Sequence, residues 1–229
     1  TYESFLKILK DLLTVNGIKQ DTYIRVTNFS DENRVTPKFI DYKDSLTAFL
    51  YPLGDYVPTG GMRCMVSSWK RINDNAIPAR AKFNGAYINT AFAKTEALSA
   101  GFDEAIFLNK DDHVVEGSAE NIFIIRNGTI FTPPVSDDIL EGITRSSVID
   151  ICKNEGFTVV ERSIDRTELY AAEEIFLTGT GAKVSPVIEI DRRPIGNGAV
   201  GEIAKKIQKI YFAAARGELD QYQHWVEAV

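Results

Sequence analysis

Several residue types are scarce in this sequence, and each scarcity removes a class of function. Histidine occurs twice, as His113 and His224, too far apart in sequence to give a metal-ligand spacing. His113 reads as turn surface. Cysteine also occurs twice, as Cys64 and Cys152, too few for a disulfide framework. Both read as small core hydrophobes, one in a strand and one in a helix, kept in a reduced compartment. Positive charge is not in excess. Against 32 Asp and Glu stand 26 Lys and Arg, a net charge of −6, with no basic stripe, which argues against a nucleic-acid partner. Apolar runs are short and broken by charge, so none has the length to span a membrane. No secretory signal pattern is visible. A cytoplasmic globular protein is the expectation. Its 229 residues, 44% hydrophobic and 25% charged, suffice for one large domain or two small ones.

What is present is a mixture of helical and strand patterns. Residues 2–16 carry Tyr2, Phe5, Leu6, Leu9, Leu12 and Leu13 at helical spacing, ended by Asn16-Gly17. TYIRVTNF (22–29) and SLTAFLYP (45–52) read as strands, with a charged, Pro37-containing loop between them. GDYVPTGG (54–61) reads as a linker between domains. MRCMVSSW (62–69) resumes strand character, and residues 88–100 form an amphipathic helix stopped by Gly101. EAIFLN and NIFIIR flank a turn as neighbouring strands. Asn127-Gly128 marks a hairpin. Residues 143–156 read as a helix, FTVVERSI, EEIFLTG and SPVIEI as strands, and 200–217 as a final helix with Ile203, Ile207, Ile210 and Tyr211 on one face. Strand runs mixed with four helices, without strict alternation, predict an α+β fold.

Chemistry enters through four segments. PARAKFNGAY sets Lys82 five residues before Tyr87, just ahead of a helix. VEGSAENIF brings Glu116, Glu120 and Asn121 around Gly117 and Ser118. LEGITR (140–145) and LTGTGAKVSPV (177–187) are small-residue turns able to hold a phosphate on backbone N–H groups, the first at a helix start. Taken singly, a lysine before a helix is usually solvated and an acid beside a glycine turn is usually surface. A lysine, an acid and two anion-holding turns together are the parts that bind and activate pyridoxal phosphate.

In their order and spacing these segments resemble the fold-type IV, class IV aminotransferases, most closely the branched-chain amino acid aminotransferases. The resemblance runs from TYIR (22–25) through MVSSWKRINDNAIPARAK (65–82) to YQHW (222–225). It implies a two-domain α+β protein with a barrel-like mixed sheet. Residues 1–53 would be the remainder of a small N-terminal domain, incomplete at its start, 54–61 the linker and 62–229 the large cofactor-binding domain. It implies a homodimer or higher homo-oligomer acting on small amino acids and 2-oxo acids, with no nucleic-acid or membrane partner and no metal. The cofactor would be pyridoxal 5′-phosphate, joined to Lys82 as a Schiff base during a ping-pong exchange. The lysine amine needs a neutral fraction, so burial and nearby positive charge are expected around it. Lys70, Lys94 and Lys110 are the bland competitors, and Lys94, on a helix near Glu96, reads as a solvated salt-bridge partner.

The remaining roles also follow from the resemblance. Glu116 would hold the proton on the pyridine nitrogen, with Glu120 and Asn121 around the same turn. Tyr87 would hydrogen-bond the cofactor 3′-oxygen, Leu140 would pack on its ring, and Ile143, Thr144 and Thr180 would hold its phosphate. Tyr23, Arg25 and Tyr56 would shape the substrate pocket, Arg25 receiving the γ-carboxylate of glutamate. Gly181 and Ala182 would lie near the substrate α-carboxylate. The chain departs from the usual pattern at Leu53, where many members have tryptophan, and at Ala86, where many have asparagine. The expected activity is transamination between leucine, isoleucine or valine and 2-oxoglutarate. A D-amino acid aminotransferase, an aminodeoxychorismate lyase, an amine transaminase or an inactive scaffold are the alternatives.

Overall fold

A computed structural model describes residues 1–33, 35, 38–52 and 60–228 of the chain. By its contacts the chain divides into two units, Thr1–Tyr56 with Glu227–Val229, and Val57–Val226. Leu53, Tyr56 and residues 54–59 of the expected linker lie outside the described residues.

The first unit opens with helix α1 (Tyr2–Val15). Thr1 and Ser4 cap it reciprocally, each side chain bonding the other's backbone N–H. The expected stripe of Phe5, Leu6, Leu9, Leu12 and Leu13 is half-buried, and the chain leaves the helix at Gly17, where φ is +60°. Strands β1 (Tyr23–Ser30) and β2 (Asp44–Tyr51) form an antiparallel ladder, with Tyr23 opposite Tyr51 and Arg25 opposite Phe49. Tyr23 and Arg25 are two residues apart and so share one face of β1.

The second unit is built on strands β3 (Met62–Lys70), β4 (Glu104–Leu108), β5 (His113–Gly117), β6 (Asn121–Arg126), β7 (Thr129–Thr132), β8 (Val159–Glu161), β9 (Ile164–Asp165), β10 (Glu174–Gly179), β11 (Lys183–Ile190) and β12 (Arg193–Pro194). Their order is β8-β7-β6-β10-β11-β3-β4-β5-β9, and an added β5–β6 pairing closes β6-β10-β11-β3-β4-β5 into a ring. Helices α2 (Tyr87–Ser99), α3 (Ile143–Asn154) and α4 (Glu202–Ala215) lie against this sheet. Side-chain alternation divides the core. Cys64, Val66, Ile106, Leu108, Val114, Ile122, Ile124, Ile175 and Leu177 fill the inside of the ring. Phe123, Ile125, Phe176 and Val184 face outward onto Val148, Ile151 and Cys152 of α3 and Ala204 and Ile207 of α4. Ala93 and Ala97 of α2 pack on Ala105, Phe107 and Val115.

Three readings of the sequence need correction. EAIFLN and NIFIIR, as β4 and β6, are not neighbours; β5 lies between them and pairs with both. His113 is therefore not turn surface but the half-buried start of β5, opposite Asp165. FTVVERSI is not one strand. β8 adds to β7 in parallel while β9 adds to β5, so the segment crosses from one edge of the sheet to the other. The Asn127-Gly128 hairpin is as expected, with φ of +49° and +70°, the left-handed pair that a two-residue turn between twisted strands requires. Cys64 and Cys152 are buried and unbridged.

Candidate active site

The site is organised by a bulge. Leu108 pairs with Val114 and Ile106 with Gly117, so two residues of β4 are spanned by three of β5. An extra residue re-aims the side chain that follows it. Glu116 thereby turns to the outer face of the ring, where it pairs with Asn121, while Gly117 keeps the inward register with Ile106. The chain then reverses through Gly117–Glu120, closed by a hydrogen bond of 2.6 Å from the Gly117 N–H to the Glu120 carbonyl.

Asn121 is where three turns meet. Its side-chain amide donates to the Leu140 carbonyl at 2.9 Å, which fixes the loop entering α3. A Cβ on Gly142, the residue capping α3, would collide with Asn121 Oδ1, so any larger residue there displaces the Asn121 side-chain amide. Thr178 of β10 is the register partner of Asn121, which brings the β10–β11 turn, with Thr180, Gly181 and Ala182, to the same end of the ring. Gly142 supplies no side-chain cap, so the first N–H groups of α3 have no side-chain acceptor from that position. The Thr178 hydroxyl, one strand away, is buried and has no hydrogen-bond partner among the described residues.

Lys82 sits in the loop between β3 and α2. Asn89 of α2 pins the base of that loop, accepting from the Ile72 N–H at 3.2 Å and donating to the Lys70 carbonyl at 3.0 Å. Asp74 tightens its tip by accepting from the Ala79 N–H at 2.8 Å. Lys82 Nζ lies 5.8 Å from the centre of the Tyr87 ring. Its side chain is exposed, not buried as the sequence reading expects. The lysine projects from the rim of a cavity instead of from its floor.

That cavity encloses about 450 Å³ when the open solvent at its mouth is included. Lys82, Tyr87, Glu116, Asn121 and Leu140 all line it, together with Arg71 and Glu120. Glu116 is 5% exposed. Its carboxyl accepts from the Leu140 N–H at 3.1 Å and stands 2.7 Å from Arg71 Nε. Burial pushes the Glu116 carboxyl above its ordinary pKa, against the opposing pull of Arg71, the Leu140 N–H and Lys82. Arg71 Nε is buried and, among the described residues, meets Glu116 as an ion pair. Arg71 was not singled out from the sequence.

The other expected residues fall elsewhere. Ile143 and Thr144, in the first turn of α3, line a second, open cleft with Tyr211 and Trp225. Ile143 is 86% exposed and Thr144 is buried. Thr180, Gly181 and Ala182 line neither cavity. Tyr23 and Arg25 are half-buried in the first unit. Of the competing lysines, Lys70 pairs with Asp112 and Lys110 with Asp111, both at the surface. Lys94 is not a solvated pair. Its Nζ lies 2.6 Å from Glu104, whose side chain is 2% exposed.

The residues gathered here include a donor set for an aldehyde-bearing, anionic, aromatic cofactor. It comprises an accessible amine, a buried carboxyl, a phenol, an apolar ring contact and an uncapped helix start near an unpartnered hydroxyl. A family model described as amino-transferase class IV matches residues 1–190. A probable branched-chain-amino-acid aminotransferase of Aquifex aeolicus is 50% identical over 229 residues, covering 99% of this chain and 74% of that protein. The branched-chain aminotransferase of Thermoproteus uzoniensis, solved with norvaline, superposes with a TM-score of 0.95 at 40% identity, covering 99% of this chain and 75% of that one. The T.th. branched-chain amino acid aminotransferase complexed with N-(5′-phosphopyridoxyl)-L-glutamate superposes with a TM-score of 0.91 at 36% identity, covering 99% and 74%. A match of this length and depth, over a fold that assembles the lysine and the buried acid in one cavity, makes this chain a member of the class IV aminotransferase family.

Proposed function

We propose that the chain takes part in pyridoxal-phosphate-dependent transamination between branched-chain L-amino acids and 2-oxoglutarate. The observation that carries the reading is the shared cavity. Lys82, Tyr87, Glu116, Asn121 and Leu140 all line it. Family membership and the phosphopyridoxyl-glutamate adduct on the T.th. relative support the cofactor and the glutamate partner.

Bound there, pyridoxal phosphate supplies an electron sink for the pair left at the amino acid Cα. The chain's own residues do the rest. Lys82 Nζ, accessible at the rim, holds the cofactor covalently and then moves the proton at the substrate Cα. Glu116, already buried beside Arg71, keeps a proton on the pyridine nitrogen. Tyr87 orients the ring oxygen, and Leu140 excludes water from one ring face. The N–H groups of Ile143 and Thr144 and the hydroxyls of Thr144 and Thr180, which lie outside the lining of that cavity, would receive the phosphate. Gly181 and Ala182 take the substrate carboxylate. Residues 1–53 serve as a small domain and 62–229 as the cofactor-binding one.

A homodimer fits the exposed, stacked pair Trp69 and Phe92, whose ring centres are 4.7 Å apart. A cytoplasmic setting fits the two buried free cysteines. No helix among the described residues is long and apolar enough to cross a membrane.

Titration of the cofactor-loaded protein with L-isoleucine, L-glutamate and D-alanine, followed by visible absorbance, tests the reading. L-Isoleucine and L-glutamate should each convert the lysine-bound band to that of the aminated cofactor. Conversion by D-alanine alone would replace this reading with D-amino acid transamination.

A further inference from the structure

Beneath the cavity lies a group of buried charges that the proposed reaction does not use. Glu104, at the start of β4, is 1% exposed. Both its oxygens are engaged, Oε1 by the Ala105 N–H at 2.7 Å and Oε2 by Lys94 Nζ at 2.6 Å. Lys94 also donates to the Asp103 carbonyl at 2.7 Å. Glu120 is 6% exposed and comes from the opposite side of the same ring end. Among the described residues it has no ion pair of its own, and its carboxyl receives only the Ala119 N–H, at 3.1 Å.

Glu120 folds under the turn that Glu116 tops. A Cβ on Gly117 would lie 2.8 Å from Glu120 Oε2, so the carboxyl occupies the space that the bare Gly117 leaves. On the other side, a Cβ on Gly179 would lie 3.5 Å from Glu120 Cγ. Glu116 and Glu120 therefore bracket Gly117–Ala119, and both reach the cavity lining.

We propose that Glu120 is a positioning residue that holds the cavity-floor turn in place as a neutral carboxylic acid, with Glu104 and Lys94 forming the ionised pair beside it. The groups facing it decide the protonation. Glu104 and Glu116 repel a second anion, Lys94 attracts one but is already paired with Glu104, and the neighbouring Cys64 is a neutral thiol. Burial, then Glu104, push the Glu120 carboxyl up to about 8, with the Ala119 N–H and Lys94 acting the other way. In its neutral form it leaves Glu116 the anion nearest the cavity floor. On losing its proton it places a second negative charge under the turn, and the turn and Glu116 shift together.

The protonation claim does not depend on what the enzyme transforms; only its link to turnover rests on the transamination reading. Two measurements on the cofactor-loaded protein separate them. Carbon-13 NMR of protein labelled at glutamate side-chain carboxyls should show one resonance titrating near pH 8, absent from E120Q. The alkaline limb of kcat/KM should lie near that pH in the wild type and move upward by at least about one pH unit in E120Q, whose amide mimics the neutral acid. Below neutral pH, E120Q should stay within about threefold of wild type, while E120A should lose roughly tenfold, since a group seated under a reacting residue is replaced by a void. A Glu120 resonance titrating in the ordinary carboxylate range would overturn the proposal without a variant. An unchanged alkaline limb in a folded E120Q would overturn the role in turnover. Absence of transamination with a resonance still titrating near pH 8 would overturn the functional reading and leave the proton assignment standing.

Discussion

At the scale of single residues, the cavity assigns unequal work to side chains that look alike in the sequence. Lys82 is the only lysine among those lining it. Lys82→Ala should abolish transamination and the borohydride-reducible cofactor adduct, with the melting temperature unchanged because the side chain is exposed. A reduced cofactor peptide that maps to another lysine would reassign the role. Glu116 has a different dependence. Glu116→Gln keeps its shape and its acceptor for the Leu140 N–H but removes the charge that holds a proton on the ring nitrogen. Each pKa unit is worth about 1.4 kcal/mol, so a loss of two units should lower kcat roughly a hundredfold. The check is single-turnover kinetics beside a melting curve, since a folding defect would lower active fraction and not rate. That Lys82, Tyr87, Glu116, Asn121 and Leu140 would share one cavity was legible from sequence, because the segments carrying them come in a recurring order. Arg71 was not. A lone arginine in WKRIND carries no mark of the buried carboxyl it will meet, because the partner is brought from a strand 45 residues away by the β5 bulge. The exposure of Lys82 was illegible for the same reason: burial belongs to the assembled loop, not to its residues.

At the scale of elements, one contact holds a turn at the cavity and a second ties the β8–β9 crossing to the far end of β6. Gly142 precedes α3 with φ of −67° and ψ of +132°, an ordinary extended conformation. Its necessity is steric, not conformational, because an added methyl would meet Asn121 Oδ1. Gly142→Ala should therefore cost about 1–3 kcal/mol, as overpacking does, and should weaken cofactor retention as Asn121 is displaced from the Leu140 carbonyl. Equilibrium unfolding and cofactor dissociation measured together check both parts. The second contact is Glu168, in the 3-10 helix Arg166–Ala171. It accepts from Arg126 at the end of β6 and from Arg162 in the crossing between β8 and β9 at 2.6 to 2.8 Å. Those guanidinium hydrogen bonds, chiefly from Arg162, lower its carboxyl from 4.5 to about 2. A depressed carboxyl contributes stability that is present above its unfolded pKa and lost as pH falls toward its folded value. The shift corresponds to roughly 3 kcal/mol, and solvent around the two guanidinium groups, each about a third exposed, reduces the contribution to about 2 kcal/mol. Glu168→Gln should lower stability by that amount at pH 7 and by much less near pH 2, as urea midpoints across that window would show. Helices α1 to α4 and most strands were legible because periodicity and stop residues mark them locally. β5 and the β8–β9 crossing were not, since HVVEG is short and FTVVERSI reads as continuous; only the closed ring decides that one segment serves two edges.

At the scale of the whole molecule, burial is divided unevenly between the two units. In the second unit Cys64, Ala105, Ile106, Phe107, Val114, Ile122 and Phe176 reach zero exposure, and the strands carrying them close a ring. In residues 1–52 no described residue is buried, and the two-stranded ladder leaves Phe29, Leu46, Phe49 and Tyr51 44–55% exposed. An isolated two-stranded ladder is marginal in water, and burial of one half-covered helix adds little to it. The ring strands share ladder hydrogen bonds with neighbours on both sides and exchange their amides only when the ring opens. Amides of β1 and β2 need only the local ladder to part. Opening free energies should therefore fall into two classes, with β1, β2 and α1 at the low end and β4, β6 and β10 near the global value. Hydrogen exchange of the 229-residue chain, resolved by peptide, measures this directly. Protection factors in 23–30 and 44–51 should be at least about a hundredfold lower than in 121–126 and 174–179, the ratio that a difference near 3 kcal/mol produces. Equal protection in both groups would mean that the chain opens as one cooperative body, and that the exposed aromatic face of β2 does not set the stability of its unit.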